Sequence, residues 1–275
     1  MESNVMVYLM TGFLDSGKTQ FLKFTLEQDY FQIDGKTLLI LCEEGEEEYN
    51  PMEMLKYGVV IEKIEDQEDL TEEYLEELNR KHEPERVVVE YNGMWKVSDF
   101  ESMKLPDGWE IEQKLTTVDA STFQMYLTNL KPLFVEMVRG AELVLFNRCE
   151  DLKPLPGYRR SVKVVSPQAE VIFEDEEGEI ENIFEDDVPY DLKAPVIQIA
   201  REDYGIWYVD MMENPDRYKG KTVEFTAKVL KPRSFPSKVF LPGRMAMTCC
   251  ADDTTFLGYV CRSSYAPKLK AGQWI

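Results

Sequence analysis

Residues 11–19 read Thr11-Gly12-Phe13-Leu14-Asp15-Ser16-Gly17-Lys18-Thr19 and follow directly on an apolar run, Val5-Met6-Val7-Tyr8-Leu9-Met10. They spell Gly-x-x-x-x-Gly-Lys-Thr, which needs a buried parallel strand before it and a helix after it. In that setting the backbone N–H groups of Asp15 to Lys18 converge on a phosphate at a helix N-terminus. Unpaired amides and the helix dipole both favour an anion there. Gly12, Ser16 and Gly17 line the loop, Lys18 neutralises the β/γ oxygens, and Thr19 offers its hydroxyl to Mg²⁺. The stretch predicts a nucleoside triphosphate site.

Working outward, apolar strands alternate with helical patterns over the first two-thirds of the chain, the mark of a mainly parallel α/β sheet with crossover helices. The runs predict strands at Val5–Met10, Thr37–Cys42, Arg86–Glu90, Leu115–Asp119, Leu143–Asn147 and Val162–Val165. Helices are expected at Lys18–Glu27, Pro51–Tyr57, Glu72–Lys81 and Ser121–Val138, with Ser121 where an N-cap belongs. The acidic stretch 174–187 contains Gly178 between two apolar segments and reads as a hairpin. Pro189 and Pro195 mark a linker at 189–195 between residues 1–188 and 196–275. Beyond it the texture changes to short β-rich runs at Val196–Ala200, Thr222–Leu230, Met245–Cys250 and Phe256–Cys261, with a short helix at Ile206–Glu213. Such spacing suggests a small OB-like β-barrel.

Two further stretches bear on the nucleotide. Val87-Val88-Val89-Glu90 is an apolar strand ending in a carboxylate, three residues before Gly93. At the carboxyl end of a strand beside the phosphates, Glu90 can hold Mg²⁺ or position the attacking water. Gly93 can offer its N–H to the γ-phosphate and move when that group leaves. Leu143-Val144-Leu145-Phe146-Asn147-Arg148-Cys149-Glu150 ends a strand with a relative of Asn-Lys-x-Asp, the guanine-reading pattern. Arg148 stands for Lys and Glu150 for Asp, so Asn147 and Glu150 are the base-reading candidates. Glu is one methylene longer, which shifts the base; ATP stays open as the alternative to GTP.

The chain has 275 residues and a formal charge of −21. The charge is uneven: residues 1–195 carry 19 Lys+Arg against 44 Asp+Glu (−25), and residues 196–275 carry 12 against 8 (+4). The acidic part repels nucleic acid phosphates. No apolar run reaches the 18 or more residues of a membrane span, and no secretory signal pattern opens the chain. Five mostly scattered cysteines make no disulfide framework. A reducing cytoplasm is the expected location. His82, the single histidine, sits in Arg80-Lys81-His82-Glu83 at a helix end, where it is a favourable charge.

Together, Thr11–Thr19, Glu90-x-x-Gly93, Thr117-Val118-Asp119-Ala120, Asn147 to Glu150 and Ser166-Pro167-Gln168-Ala169 resemble the CobW/HypB/UreG group of GTPases, in its CobW-like branch. The resemblance covers about residues 5–185. It implies an Mg²⁺-dependent P-loop GTPase that delivers or inserts metals, works with a metal-receiving protein and can act as a nucleotide-controlled homodimer. It also makes Glu43, in Cys42-Glu43-Glu44-Gly45, the counterpart of the family's switch glutamate and a candidate Mg²⁺ ligand. Three departures stand out. The family's Cys-x-Cys-Cys motif is replaced by Ile64-Glu65-Asp66-Gln67-Glu68-Asp69, and carboxylates suit harder ions than thiolates do. Asn50 falls near the position of a switch aspartate, and an amide cannot be a general base. Asp15 puts a negative charge into the phosphate loop.

Near the end of the chain, Cys249-Cys250 followed by Asp252-Asp253 could grip a thiophilic metal or serve redox chemistry. Neighbours on a strand face opposite ways, so both ligate only at a bulge. Asn214-Pro215-x-x-Tyr218-x-Gly220-Lys221, Arg244, Cys249-Cys250-x-x-Asp253 and Gly272-x-Trp274 resemble the soluble domain of a bacterial permease-subunit family (YcgQ type). That resemblance implies a membrane permease partner without direct insertion of this chain. The sequence stops at Trp274-Ile275 as a strand begins, which suggests a truncated or incomplete barrel. The reading is therefore a GTP-hydrolysing switch in metal handling or transport, with Lys18 and Glu90 catalytic. Its competitors are a non-hydrolysing nucleotide scaffold and a Cys-Cys metal or redox module.

Overall fold

The apolar run at residues 5–10 becomes strand β1 (Val5–Thr11), and the expected helix follows as α1 (Lys18–Glu27), in the computed structural model, which describes residues 4–150, 155–180, 188–247 and 254–275. The chain continues through β2 (Thr37–Leu41), α2 (Pro51–Met54), β3 (Val59–Lys63), α3 (Glu72–His82), β4 (Arg86–Glu90) and α4 (Val97–Glu101). Then come β5 (Trp109–Asp119), α5 (Phe123–Asn129), α6 (Lys131–Val138), β6 (Leu143–Asn147), α7 (Leu155–Lys163), β7 (Glu170–Asp175) and β8 (Gly178–Glu179). The residues form two units, Met1–Leu155 with Gln168–Glu181, and Pro156–Pro167 with Asn182–Ile275.

The first unit is built on an eight-stranded sheet in the order β3-β2-β4-β1-β5-β6-β7-β8. All neighbours are parallel except β8, which runs back along β7. Every residue of β2 and β4 is buried, as expected of strands covered on both faces. Helix α1 lays Leu22 and Leu26 against Met10, Leu39, Val59, Val88 and Leu115, which fixes the phosphate loop at its head to the middle of the sheet. A second core is aromatic: Phe123 meets Phe134 and Phe146 edge-on at 5.0 and 5.2 Å, and Phe146 stacks on Phe173 at 4.8 Å. Beneath α6, buried Lys114 donates to the carbonyls of Glu136 and Arg139, neutralising orphan acceptors at the helix end.

Several expectations need correction. Val162–Val165 is not a strand: its first two residues finish α7, and the outer parallel strand is β7 at Glu170–Asp175. Helix Ser121–Val138 is broken at Leu130, ahead of Pro132, into α5 and α6. Ser121 is no N-cap; its N–H and hydroxyl both donate to Asp119 Oδ1. Strand β3 was not foreseen. The hairpin is present as β7–β8, with Gly178 opening the return strand at φ 118°. His82 ends α3 as expected and meets Glu62 Oε1 at 2.6 Å.

The second unit carries α7 together with β9 (Val196–Gln198), α8 (Tyr204–Glu213), β10 (Thr222–Glu224), β11 (Lys228–Leu230), β12 (Val239–Met247), β13 (Thr254–Gly258) and β14 (Cys261–Arg262). Arg159 and Lys163 of α7 hold Glu213 of α8 at 2.5 and 3.1 Å. Its core gathers Tyr190, Ile197, Ile199, Tyr204, Trp207, Tyr218 and Leu257. Within it Tyr190 and Tyr218 share a 2.7 Å hydrogen bond, and Tyr218 donates to Asp210. Among the described residues the strands form a parallel pair, β9–β10, and an antiparallel sheet of β11, β12, β13 and β14. Residues 273–275 pair with Ala227–Val229 alongside β11. No ladder among the described residues joins the two sheets into a closed barrel, so the domain is one of antiparallel sheet with a short parallel pair. No described helix is long and apolar enough to cross a membrane.

Candidate functional site

Sheet order changes direction at β1, with β4 on one side and β5 on the other. Ligands of open α/β sheets bind in the crevice at such a point, beyond the carboxyl ends of the strands. Four strand ends deliver the candidate residues there: β1 leads into Gly12, β4 ends in Glu90, β5 in Asp119 and β6 in Asn147.

The loop closes onto α1 with Gly17 as a left-handed N-cap, φ 90°. A Cβ at Gly17 would lie 2.5 Å from Asn147 Nδ2, so the position demands glycine twice over. Asn147 Nδ2 donates to the Ser16 carbonyl at 2.8 Å, and Ser16 Oγ bonds Thr117 Oγ1 at 2.9 Å. Strand β6 is thereby tied to the loop ahead of α1. Asp15 takes φ 58°, and its side chain is exposed and faces Gly45. Its carbonyl accepts from Arg148, whose guanidinium also holds Asp119 Oδ2 at 2.7 Å. Arg148 thus clamps loop to strand.

Lys18 is almost fully buried. It donates to the Gly12 and Phe13 carbonyls at 2.9 Å each and to Glu43 Oε2 at 2.5 Å. Thr19 donates to Glu90 Oε1 at 2.7 Å. The second Glu90 oxygen accepts from Tyr49 at 2.5 Å. Gly93 N–H donates to Glu43 Oε1 at 3.3 Å, so Glu43 reaches both Lys18 and Gly93 and does not join Thr19 and Glu90. Burial raises the Glu90 carboxyl above its ordinary pKa, opposed by the bonds from Tyr49 and Thr19 and the charge of Lys18. Burial likewise pushes the phenol of Tyr49 up, with the Glu90 charge adding to it. Asn50 accepts from Met52 and Glu53 N–H as the N-cap of α2, so its side chain is spent on structure.

Gly93 approaches the phosphate loop so closely that a Cβ there would lie 2.5 Å from the Gly12 carbonyl oxygen and 2.7 Å from Phe13 Cα. Backbone cannot swing aside as a side-chain tip can. Gly93→Ala is expected to cost about 1–3 kcal/mol by overpacking. Nucleotide affinity, followed by titration calorimetry, should fall about tenfold or more as the loop is displaced.

Two clefts open on this crevice. One, of about 160 Å³, lies over Asp15, Lys18, Thr19, Glu43 and Glu90. The other, of about 860 Å³, is bounded by Gly17, Phe21, Phe24, Asn147, Arg148 and Glu150, with Glu174 to Glu176 at its rim. Both share Gly17, Gln20 and Arg148. Lys18, Thr19, Glu90, Gly93, Gly12, Ser16, Gly17 and Asn147 therefore gather at one crevice, and Glu150 is exposed beside the larger cleft. Cys249 and Cys250 lie outside the described residues. Among the described residues no group of three or more His, Cys, Asp or Glu is arranged to hold a metal. Burial pushes the Cys42 thiol up and that of Cys149 up to about 12, which keeps both protonated and poor ligands. Tyr49 and Arg148 are the residues that motif reading had not placed in their present roles. Tyr49 gives no signal, being one polar residue in the acidic run Glu46-Glu47-Glu48-Tyr49-Asn50.

The family model described as CobW/HypB/UreG, nucleotide-binding domain, matches residues 6–173, and that of the DUF1980 C-terminal domain matches residues 176–275. Among solved structures, Zn(II)-bound YjiA GTPase from E. coli is similar over 64% of this chain at 22% identity and a TM-score of 0.47. The match spans only 59% of the YjiA chain. The hydrogenase maturation factor HypB from Archaeoglobus fulgidus matches 64% of this chain and 84% of its own at 17% identity, TM-score 0.46. HypB from Helicobacter pylori in complex with nickel matches 64% and 81% at 9% identity, TM-score 0.40. None of the curated proteins matches the chain.

Proposed function

Because the chain belongs to the CobW/HypB/UreG nucleotide-binding family and carries a DUF1980 C-terminal domain, we propose that it binds and hydrolyses GTP with Mg²⁺ and acts as a nucleotide-controlled switch in metal handling or transport. One observation carries this reading: Lys18, Thr19, Glu90 and Gly93 converge at the head of α1, and a cleft beyond Gly17 leads to Asn147 and Glu150. Phosphates extend over the N–H groups of residues 15–18, and the base lies against Asn147 and Glu150.

The Thr19 hydroxyl and the Glu90 carboxylate fit Mg²⁺. They are hard oxygens 2.7 Å apart, and the desolvated Glu90 would gain from a nearby cation. Held by Thr19 and Glu90, Mg²⁺ would supply neutralisation of the phosphate charge. Lys18 neutralises the β- and γ-phosphate oxygens. Glu90 orients the attacking water, and Gly93 N–H receives the charge that develops on the γ-phosphate. Positioning and charge neutralisation supply most of the rate, since the transferring phosphoryl group needs little covalent help.

Zinc and nickel, bound by YjiA and HypB respectively, are candidate cargo, to be handed to a receiving protein or a membrane permease partner. Cytoplasmic location, a nucleotide-dependent homodimer and an OB-like arrangement of residues 196–275 belong to the same proposal. The test is Mg²⁺-dependent turnover of GTP and ATP, with affinities in parallel, by the wild type and Glu150→Ala. GTP is expected to be hydrolysed in preference to ATP, with the preference weakened about tenfold or more in the variant. A second reading, a nucleotide-binding scaffold without turnover, is favoured by the use of Asn50 as a helix cap. It predicts tight binding with no phosphate release. Absence of binding sinks both.

A further inference from the structure

Glu43 does more in this fold than sit in a switch loop. Its two oxygens address two different elements, Oε2 the Lys18 ammonium at 2.5 Å and Oε1 the Gly93 N–H at 3.3 Å. Lys18 comes from the head of α1 and Gly93 from the turn after β4, and nothing in the sequence makes them neighbours of one carboxylate. They are the same two donors that the proposed function assigns to the terminal phosphate. An anion with two oxygens bridging an ammonium and a backbone N–H reproduces part of what a γ-phosphate would offer them.

The loop that carries Glu43 is fastened along its length. Glu44 pairs with Lys63, Glu47 with Lys23 at 3.2 Å, and the Glu48 carbonyl accepts from Lys23 at 3.1 Å. Tyr49 is bonded to Glu90, and Asn50 caps α2. Most of these ties are exposed and individually weak. The Lys18–Glu43 pair differs, with side-chain exposures of 3% and 10%, so its charges are poorly screened.

We infer that Glu43 is a resident stand-in for the γ-phosphate, which sets how strongly this site prefers a triphosphate over a diphosphate. The inference rests on the nucleotide reading above and adds a role to it. A diphosphate leaves the γ position to Glu43, so the loop stays fastened and Gly93 stays satisfied. A triphosphate must expel the carboxylate from both donors and unfasten the loop. Part of its binding energy goes into that opening, which couples the third phosphate to the position of residues 43–50. The carboxylate thereby narrows the advantage of the triphosphate and turns its arrival into a conformational signal.

Two measurements on the full chain test this. Affinities for GDP and a non-hydrolysable GTP analogue are determined for the wild type, Glu43→Gln and Glu44→Gln. Glu43→Gln is expected to raise the analogue-to-GDP affinity ratio about tenfold to hundredfold, the worth of a hydrogen bond to a charged group. Glu44→Gln, at an exposed pair, should leave it unchanged. In parallel, nucleotide-free wild type, Lys18→Met, Glu43→Gln and the double variant are melted. Losses in Tm that fail to add identify a working pair. A raised ratio with non-additive melting supports the stand-in. An unchanged or lowered ratio, or additive melting, overturns it while GDP binding keeps the nucleotide reading alive. If neither the wild type nor Glu43→Gln binds either nucleotide, the nucleotide reading falls and the stand-in with it.

Discussion

Lys18→Ala is expected to reduce GTP turnover by about 100- to 1,000-fold, the scale on which loss of one oriented donor to a developing charge is felt. The residue is worth this much because of where the chain puts it. Its ammonium is held by the Gly12 and Phe13 carbonyls at 2.9 Å, and its side chain is 3% exposed, so its charge acts in a poorly screened crevice. Substitution has a second effect without nucleotide. Glu43 loses its cation and keeps only the Gly93 N–H while still largely shielded from water, and a shielded carboxylate without a counter-charge is costly. The loop 43–50 is therefore expected to release in the variant. The check combines phosphate-release kinetics with thermal melting and limited proteolysis. Lost turnover with a modest fall in Tm and new cleavage within residues 43–50 fits the assignment. Turnover within a fewfold of wild type would refute it.

Phe146→Ala should give the largest loss of stability of any single change considered, about 3–5 kcal/mol. Phe146 has no exposed surface, stacks on Phe173 at 4.8 Å and receives the edge of Phe123 at 5.2 Å. Removing its ring leaves a void between β6, β7 and α5 that no exposed side chain can fill. For a folded region of this size the shift in Tm is about 6–20 °C. Asn147 follows directly and is bonded to the Ser16 carbonyl, so slack in β6 is transmitted to the phosphate loop. Denaturant unfolding checks the first effect and nucleotide affinity, measured well below the new Tm, the second. A loss under about 1 kcal/mol would show that the aromatic cluster is not a core element.

How much the chain reveals before folding depends on how local each cause is. Arg86–Glu90 and Leu143–Asn147 are legible to the residue because buried parallel strands are continuous apolar runs ended by polar residues. The start of α1 is legible because Gly-Lys-Thr combines a left-handed turn with a helix head. Val59–Lys63 was missed because an edge strand with charged Glu62 and Lys63 lacks that continuity. Val162–Val165 misled for the opposite reason. Three of its four residues are β-branched, yet Val162 and Lys163 finish α7 and Val164-Val165 form the turn that follows it. At the crevice, residues with a motif behind them were identifiable singly. Their partners were not: Tyr49 on Glu90, Glu43 on Gly93 and Arg148 on Asp119 join segments far apart in sequence. Hydrogen bonds of that kind are set by topology, which a one-dimensional pattern does not contain.

Helix α7 has a consequence for how this chain is born. Arg159 and Lys163 leave the ribosome well before Glu213, the carboxylate that neutralises them, and before the aromatic residues of α8. Strands β1 to β6 have all their parallel neighbours except β7 once residue 147 has emerged, whereas the second unit must wait for its last segment to collect a helix made long before. Translation thus imposes an order, sheet first and second unit last. A cut between residues 188 and 196 would leave residues 156–167 behind, and with them both cations that hold the half-buried Glu213.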